Sequence, residues 1–402
     1  MPFFLLLTFF VVPGVIALID FVDIVRLKMR RKKNERYPKS EDFAILVPIF
    51  GNMSYFKNAE FLKDYSDKVI ICTTAHETKQ FYTDLNAVCQ QYGFRQFRSE
   101  LSSIKSGKFT RNPWKIFHTL LDGSIKRRVF AEKARGVLLF EEVDGIDNTY
   151  CVFLDGDTVC HEDLRKVVGE FHARDLDLSS VRIIPSHTNT LMERMQQFEY
   201  QFAMDGRKLY PWMTSGACMV AKAGVLQEVL RHHSHFFQGG DIEIGKLCYS
   251  LGYNVGHLDT EFYTDVPETF RKWFKQRVAW SSGDFRHAVI NIHFYSWRQP
   301  FFFFYCTFVV YAMMPFRIMF LLSNPYVLPF IIVIYWILLL GIQSRYRNKY
   351  MLLFPFYSLF QSLVITPLGI LCYFYTVYKY HNVGIIRYRY HLEKQGVGPV
   401  YS

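Results

Sequence analysis

The chain is 402 residues long, 50% apolar and 18% aromatic, with a formal charge of +11. That length suits one large domain or two smaller ones. Phe and Tyr crowd the two ends with much of the basic excess beside them, and no nucleic-acid module accompanies it, which excludes a nucleic-acid binder and points to membrane segments carrying a soluble centre.

Residues 3–25 are nearly all apolar, long enough to cross a bilayer, and are followed by Arg26, Lys28, Arg30, Arg31, Lys32, Lys33 and Arg36. The reading is an uncleaved N-terminal transmembrane anchor over 1–27, with the centre of the chain on the cytoplasmic side by the positive-inside tendency. The eight cysteines are scattered with no Cys-x-x-Cys pair, which favours reduced thiols over a disulfide framework or a zinc site.

Residues 42–265 read as an α/β domain with a mostly parallel sheet flanked by helices. DFAILVPIF (42–50) and KVIICTT (68–74) are buried strands, and a helix-like stretch follows the second. The basic segment 124–136 has helical period. The run Tyr150 to Leu154 is a continuous apolar strand that ends in Asp155-Gly156-Asp157. Closely spaced carboxylates at the carboxyl edge of a sheet offer hard oxygen ligands to Mg2+ or Mn2+, which in turn hold a diphosphate; Asp-Gly-Asp is equally good turn chemistry. A strand at 179–186 and a long helix from Leu191 come next. Ser215, Gly216 and Ala217 precede another apolar strand, as a tight turn or as a place of close ligand approach. Asp241 and Glu243 follow a Gly pair at the start of a helix, where an acid is by default a cap.

Residues 266–298 are amphipathic, with Trp273, Phe274, Val278, Trp280 and Phe285 interleaved with basic residues, as in a helix lying on a membrane surface. Residues 299–380 hold three apolar segments, at 301–322, 325–342 and 351–378, the last interrupted by Pro355 and Pro367. A basic tail, 381–402, closes the chain.

The ordered set DGD, SGA, GGD and QRVAW ahead of apolar helices resembles the membrane-integrated family 2 inverting glycosyltransferases, which include cellulose, chitin and hyaluronan synthases. The resemblance covers about residues 42–380 and rests on order and spacing. It implies a GT-A domain binding a UDP-sugar, with Asp155 and Asp157 on Mn2+ or Mg2+ and Asp241 as the catalytic base. It places Pro48 and Arg128 at the nucleotide-sugar, and Gln276, Arg277 and Trp280 at the acceptor and diphosphate. The partners it implies are a UDP-sugar donor, a glycan or lipid-linked acceptor and membrane lipid. The sequence departs from the pattern at Ala279 and Gly240, where an arginine and an acid are expected. It also departs at Cys72-Thr73-Thr74, which lacks the uracil-binding aspartate; Glu77 is the candidate for that role.

These features predict a multi-pass membrane enzyme, a hexosyl or N-acetylhexosaminyl transferase with its catalytic domain in the cytoplasm, extending a polysaccharide. A single-addition transferase acting on a lipid or glycan, a non-catalytic membrane subunit, and a transporter or channel with a large cytosolic domain stand as the alternatives.

Overall fold

The computed structural model describes residues 37–75, 77–99, 103–105, 114, 143, 145–233, 239–290, 311, 314–342, 348–380 and 383–385. The expected anchor at 1–27, the basic segment with Arg128, and most of the tail lie outside the described residues. The described residues divide into two compact units: those within 37–184, 211–265 and 375–385 form a sheet unit, and those within 185–210 and 266–374 a helical unit.

The elements follow from local pattern. Strands β1 (Phe43–Pro48) and β2 (Val69–Thr74) are apolar runs buried almost end to end. Helix α1 (Lys79–Tyr92) starts where the Thr78 hydroxyl accepts from the Phe81 amide, and stops at Gly93, whose φ of 75° suits a left-handed cap. Its Phe81, Leu85 and Cys89, four residues apart, face the core. Strands β3 (Arg95–Ser99), β4 (Ser103–Lys105), β5 (Tyr150–Leu154) and β6 (Val159–Cys160) precede helix α2 (Leu164–Ala173), which Asp163 caps. Strand β7 (Leu178–Pro185) is buried throughout, and helix α3 (Leu191–Arg207) opens on a Thr190–Glu193 capping box.

Then come β8 (Cys218–Lys222), α4 (Ala223–His232), α5 (Gly240–Ser250) and β9 (Val255–Thr264). The remaining helices are α6 (Phe270–Ile290), α7 (Met314–Ser323), α8 (Val327–Ile342), α9 (Phe354–Phe360) and α10 (Thr366–Tyr380), before β10 (Val383–Ile385).

In the sheet unit eight strands run in the order β3-β2-β1-β5-β8-β7-β9-β6. The first four are parallel, with Ile45 opposite both Val69 and Val152. Beyond β5 the expectation of a mostly parallel sheet fails: β8 is antiparallel to β5 and to β7, and β6 to β9. The reason is the entry point. Cys218 pairs with Leu154, so the chain enters β8 from the edge where β5 ends rather than crossing over to the other edge. A small second sheet pairs β10, from the stretch read as tail, with β4.

In the helical unit α3 joins the C-terminal helices, although its sequence position lies inside the span read as the α/β domain. Met195 and Phe198 of α3 pack with Leu339, Met351 and Phe354. Helices α7 and α8 meet at 114°. Pro325 sits in the break, where it has no amide hydrogen to continue a helix. Residues Lys349–Thr376 form one helical run of 28 residues, an 18-residue stretch of which has a mean hydropathy of 1.5, and by length and composition this run could cross a membrane. Its prolines do not interrupt it. Pro355 lies in the first turn of α9, and Pro367 follows a π-helical turn, Gln361–Ile365, closed by the Thr366 amide on the Gln361 carbonyl.

Helix α6 differs from a surface-lying amphipathic helix. Trp273, Arg277, Arg286 and His287 are buried while Trp280 is 40% exposed, so basic and aromatic residues do not sort to opposite faces.

Candidate active site

The parallel half of the sheet ends its strands on one edge, and β5 delivers Asp155-Gly156-Asp157 there beside Pro48, the last residue of β1. The turn is held by backbone. The Asp155 amide donates to the Ala217 carbonyl at 3.0 Å, and the Gly156 carbonyl accepts from the amides of Lys57 (2.7 Å) and Asn58 (3.1 Å). Buried Asn58 clamps the same turn, its amide donating to the carbonyls of Asp155 (2.9 Å) and Thr158 (2.8 Å). A Cβ on Gly156 would lie 2.3 Å from Ile49 Cδ1 and 3.1 Å from the Tyr55 carbonyl, so the close approach requires glycine here.

Asp157 is oriented by Thr264 at the end of β9, whose hydroxyl donates to Oδ1 at 3.1 Å. Thr158 donates to the Thr264 oxygen at 3.0 Å, which completes a small hydroxyl relay. Burial raises the Asp157 carboxyl, the Thr264 hydrogen bond opposes that, and the charge of Asp265 adds to the rise. The Lys57 ammonium pairs with Asp265 at 2.5 Å.

Asp241 sits in the first turn of α5, behind Gly239 at a φ of 71°. Its carboxylate accepts from the Gly216 amide at 2.6 Å, and its carbonyl accepts from the Thr214 hydroxyl. The side chain therefore reaches across to the Ser215-Gly216-Ala217 turn as well as sitting at its own helix start. That turn also holds Asp155 through Ala217, so three carboxylates converge. Burial, then the charges of Asp157 and Asp241, push the Asp155 carboxyl up to about 8.

Among the described residues no group of three His, Cys, Asp or Glu side chains is arranged to hold a metal ion. The pair Asp155 and Asp157 nevertheless fits a small divalent cation, because Mg2+ and Mn2+ are commonly held by one or two carboxylates with phosphate and water completing the set. The Asp155 carboxyl is raised first by burial and then by the Asp157 and Asp241 charges, which such an ion would neutralise.

Glu77, the candidate for a base-binding acid, accepts from the Gly51 amide at 3.0 Å and from the Thr74 hydroxyl at 2.8 Å, and so is fixed at the ends of β1 and β2. Gln276, Arg277 and Trp280 cluster within the helical unit. Arg277 donates to Gln276 (2.7 Å) and to Glu199 (2.9 Å), and its guanidinium lies 4.1 Å from the Trp280 ring centroid. Arg128 lies outside the described residues. Asn58, Thr264 and Glu199 are the site residues that sequence reasoning missed. Asn58 and Thr264 fall in no motif, and Glu199 lies three residues from Gln196 on α3 among several other polar residues that mask it.

A family model described as Glycosyl transferase family group 2 matches residues 150–376, which takes in the Asp155 turn, Asp241, α6 and most of the C-terminal helices. No curated protein matches the chain. Among solved structures, the mannosyltransferase PcManGT from Pyrobaculum calidifontis, in complex with GDP-Man and Mn2+, is similar with a TM-score of 0.47 and 12% identity, over 90% of this chain and 92% of that one. TarS from S. aureus is similar with a TM-score of 0.36 and 12% identity, over 64% of this chain and 44% of that one.

Proposed function

The chain belongs to glycosyl transferase family group 2, and from that membership we propose that it transfers a sugar, with inversion, from a UDP-sugar to a growing polysaccharide at a membrane. The observation that carries the proposal is that Asp155 and Asp241 meet at the turn Ser215 to Ala217, with Asp157 close enough for its charge to act on Asp155, at the carboxyl edge of β5. Ligands bind at such edges in open α/β sheets.

In this reading Asp155 and Asp157 would hold Mn2+ or Mg2+, which would supply positive charge to neutralise the donor diphosphate. Asp241 takes the proton of an acceptor hydroxyl as that oxygen bonds to the anomeric carbon. The bond from that carbon to the diphosphate oxygen breaks on the opposite face, and UDP leaves with the electron pair. The Gly216 amide keeps the Asp241 carboxylate aimed, and Thr264 keeps Asp157 aimed. Membrane residence is supported by the run Lys349–Thr376 and by outward apolar side chains such as Leu322, Phe330 and Leu371, each more than half exposed. The basic residues after the first apolar run support a cytoplasmic sheet unit.

The test is UDP release by the full chain in detergent, with Mn2+ or Mg2+ and a panel of UDP-sugars. Metal-dependent release with one sugar is expected, reduced at least ~100-fold in Asp241→Asn, since general-base help contributes about 10²–10⁴-fold. Release unchanged in folded Asp241→Asn would overturn the assignment of the base. Release unchanged in Asp157→Asn and in EDTA would overturn the metal.

A further inference from the structure

Between α7, α8 and the run from α9 to α10 lies a cavity of about 300 Å³ whose walls include Ile318, Leu321, Ile331 and Leu363. Three polar side chains interrupt that lining: Arg317, Ser362 and Thr366. The π-helical turn Gln361–Ile365 brings Ser362 to the wall, with Thr366 four residues on along the same helical run. The Thr366 hydroxyl donates to the Gln361 carbonyl at 3.1 Å, which fixes it in place.

Arg317 is half-buried and has no hydrogen-bond or ion-pair partner among the described residues. The sequence supplies no acid to meet it locally, since residues 285–392 contain neither Asp nor Glu. Around it the outer faces of the same helices are strongly apolar: Met319 is 64% exposed, Leu322 77% and Phe330 69%. A guanidinium set among such helices, with no acid paired to it among the described residues, suits an anionic ligand, and Arg forms fork-like bonds to phosphate oxygens.

We propose that this cavity is a binding site for an anionic phospholipid, with its phosphate on Arg317 beside Ser362 and Thr366 and its chains leaving over the exposed apolar faces of α7 and α8. The volume decides what enters. Pockets that enclose a whole ligand run from about 300 to 1,000 Å³, so this one holds a headgroup and the first carbons and leaves the tails outside. The apolar walls select a lipid over free phosphate, and the absence of carboxylates from the lining disfavours a metal-bound nucleotide-sugar. The proposal rests on the reading of these helices as membrane-embedded.

The experiment is native mass spectrometry of the full chain in detergent, titrated with phosphatidylglycerol, phosphatidylcholine or inorganic phosphate, for the wild type, Arg317→Leu, Arg317→Lys and Leu363→Trp. Phosphatidylglycerol is expected to bind at least ~10-fold more tightly than phosphatidylcholine, because the choline cation offsets the phosphate charge and meets the Arg317 guanidinium with like charge. Arg317→Leu should erase that preference, Arg317→Lys should keep most of it, and Leu363→Trp should weaken binding of both lipids by filling the cavity. Equal binding of the two lipids by the wild type, or an unchanged preference in Arg317→Leu, would overturn the proposal. Displacement of phosphatidylglycerol by inorganic phosphate alone would overturn the lipid as the source of the phosphate. Carbonate extraction of membranes separates the two readings: release of the wild type sinks membrane embedding itself, whereas retention with an equal lipid response sinks only the site.

Discussion

The Arg277 guanidinium, buried in the helical unit, lies 2.9 Å from the Glu199 carboxylate, so α6 and α3 are joined by an ion pair. Glu199 also accepts from the Tyr357 hydroxyl and from Gln361 at 3.2 Å, and Gln196 accepts from Arg277 at 3.3 Å. Burial works against the charge on Arg277, but Glu199, Tyr200 and Tyr357 together outweigh it and keep the guanidinium protonated. The resemblance assigns Arg277 to a diphosphate; the structure gives it a protein carboxylate and the Trp280 ring.

Removing one member of such a pair strands the other, which costs about 3–5 kcal/mol, whereas replacing both by apolar groups costs far less. Arg277→Met and Glu199→Leu are therefore each expected to lower the melting temperature of the detergent-held protein by several degrees, and the double variant by less than the sum. Additive losses would mean that the two side chains do not act as a pair.

Gly245 sets where Asp241 stands. A Cβ there would lie 2.0 Å from the Trp212 carbonyl and 2.6 Å from the Thr214 hydroxyl, so α5 approaches the 212–214 segment on glycine alone. Gly245→Ala must push the helix away, at a cost of about 1–3 kcal/mol for overpacking. Because the Thr214 hydroxyl bonds the Asp241 carbonyl, the shift moves Asp241 itself. The expected outcome is a fall in kcat at temperatures where circular dichroism shows the variant folded. Full turnover in the folded variant would refute the coupling.

Thr264 is expected to act through Asp157. Thr264→Val keeps the shape and removes the hydroxyl that pulls the Asp157 carboxyl down. Losing a hydrogen bond to a charged group costs about 1.5–3 kcal/mol, or about 10- to 150-fold in metal affinity if it is felt in full. Titration with Mn2+ followed by electron paramagnetic resonance reads this directly, and Thr264→Ser should restore most of the loss. A Val variant that binds Mn2+ as the wild type does would leave Thr264 with a packing role only.

How much of this was legible depends on the range of the interaction. The strands β1 and β5 were readable because both faces are buried, which writes continuous apolar runs into FAILVP and YCVFL. The direction of β8 was not, since CMVAK looks the same in either orientation and only the position of the Cys218 end decides it. Asp155 and Asp157 announce themselves by spacing, and Asp241 by its place after two glycines. Asn58 carries no local signal: it is buried because two carbonyls about 100 residues away need its amide. The Glu199–Arg277 pair likewise spans 78 residues, and from sequence the charges on α6 read as those of a helix lying on a membrane surface.

The three converging carboxylates make the fold sensitive to pH in a definite sense. Burial and the charges of Asp157 and Asp241 raise the folded-state pKa of Asp155 to about 8, against an unfolded value of about 3.9. Between those values the folded chain holds a proton that the unfolded chain has lost. Stability from this group is therefore greatest below about pH 4 and falls as pH rises towards about 8. A divalent cation on Asp155 and Asp157 replaces that proton, so its binding tightens over the same window. In EDTA, the melting temperature is expected to be lower at pH 8 than at pH 5.5, once the remaining titrations are controlled with Asp155→Asn. Saturating Mn2+ should raise the melting temperature more at pH 8 than at pH 5.5, and Asp157→Asn should lose that response. Asp241→Asn, which removes one of the raising charges, should make the fall level off at a lower pH and be smaller in total. An equal rise with Mn2+ at both pH values would show that the ion displaces no proton from this site, and would remove Asp155 from its ligand set.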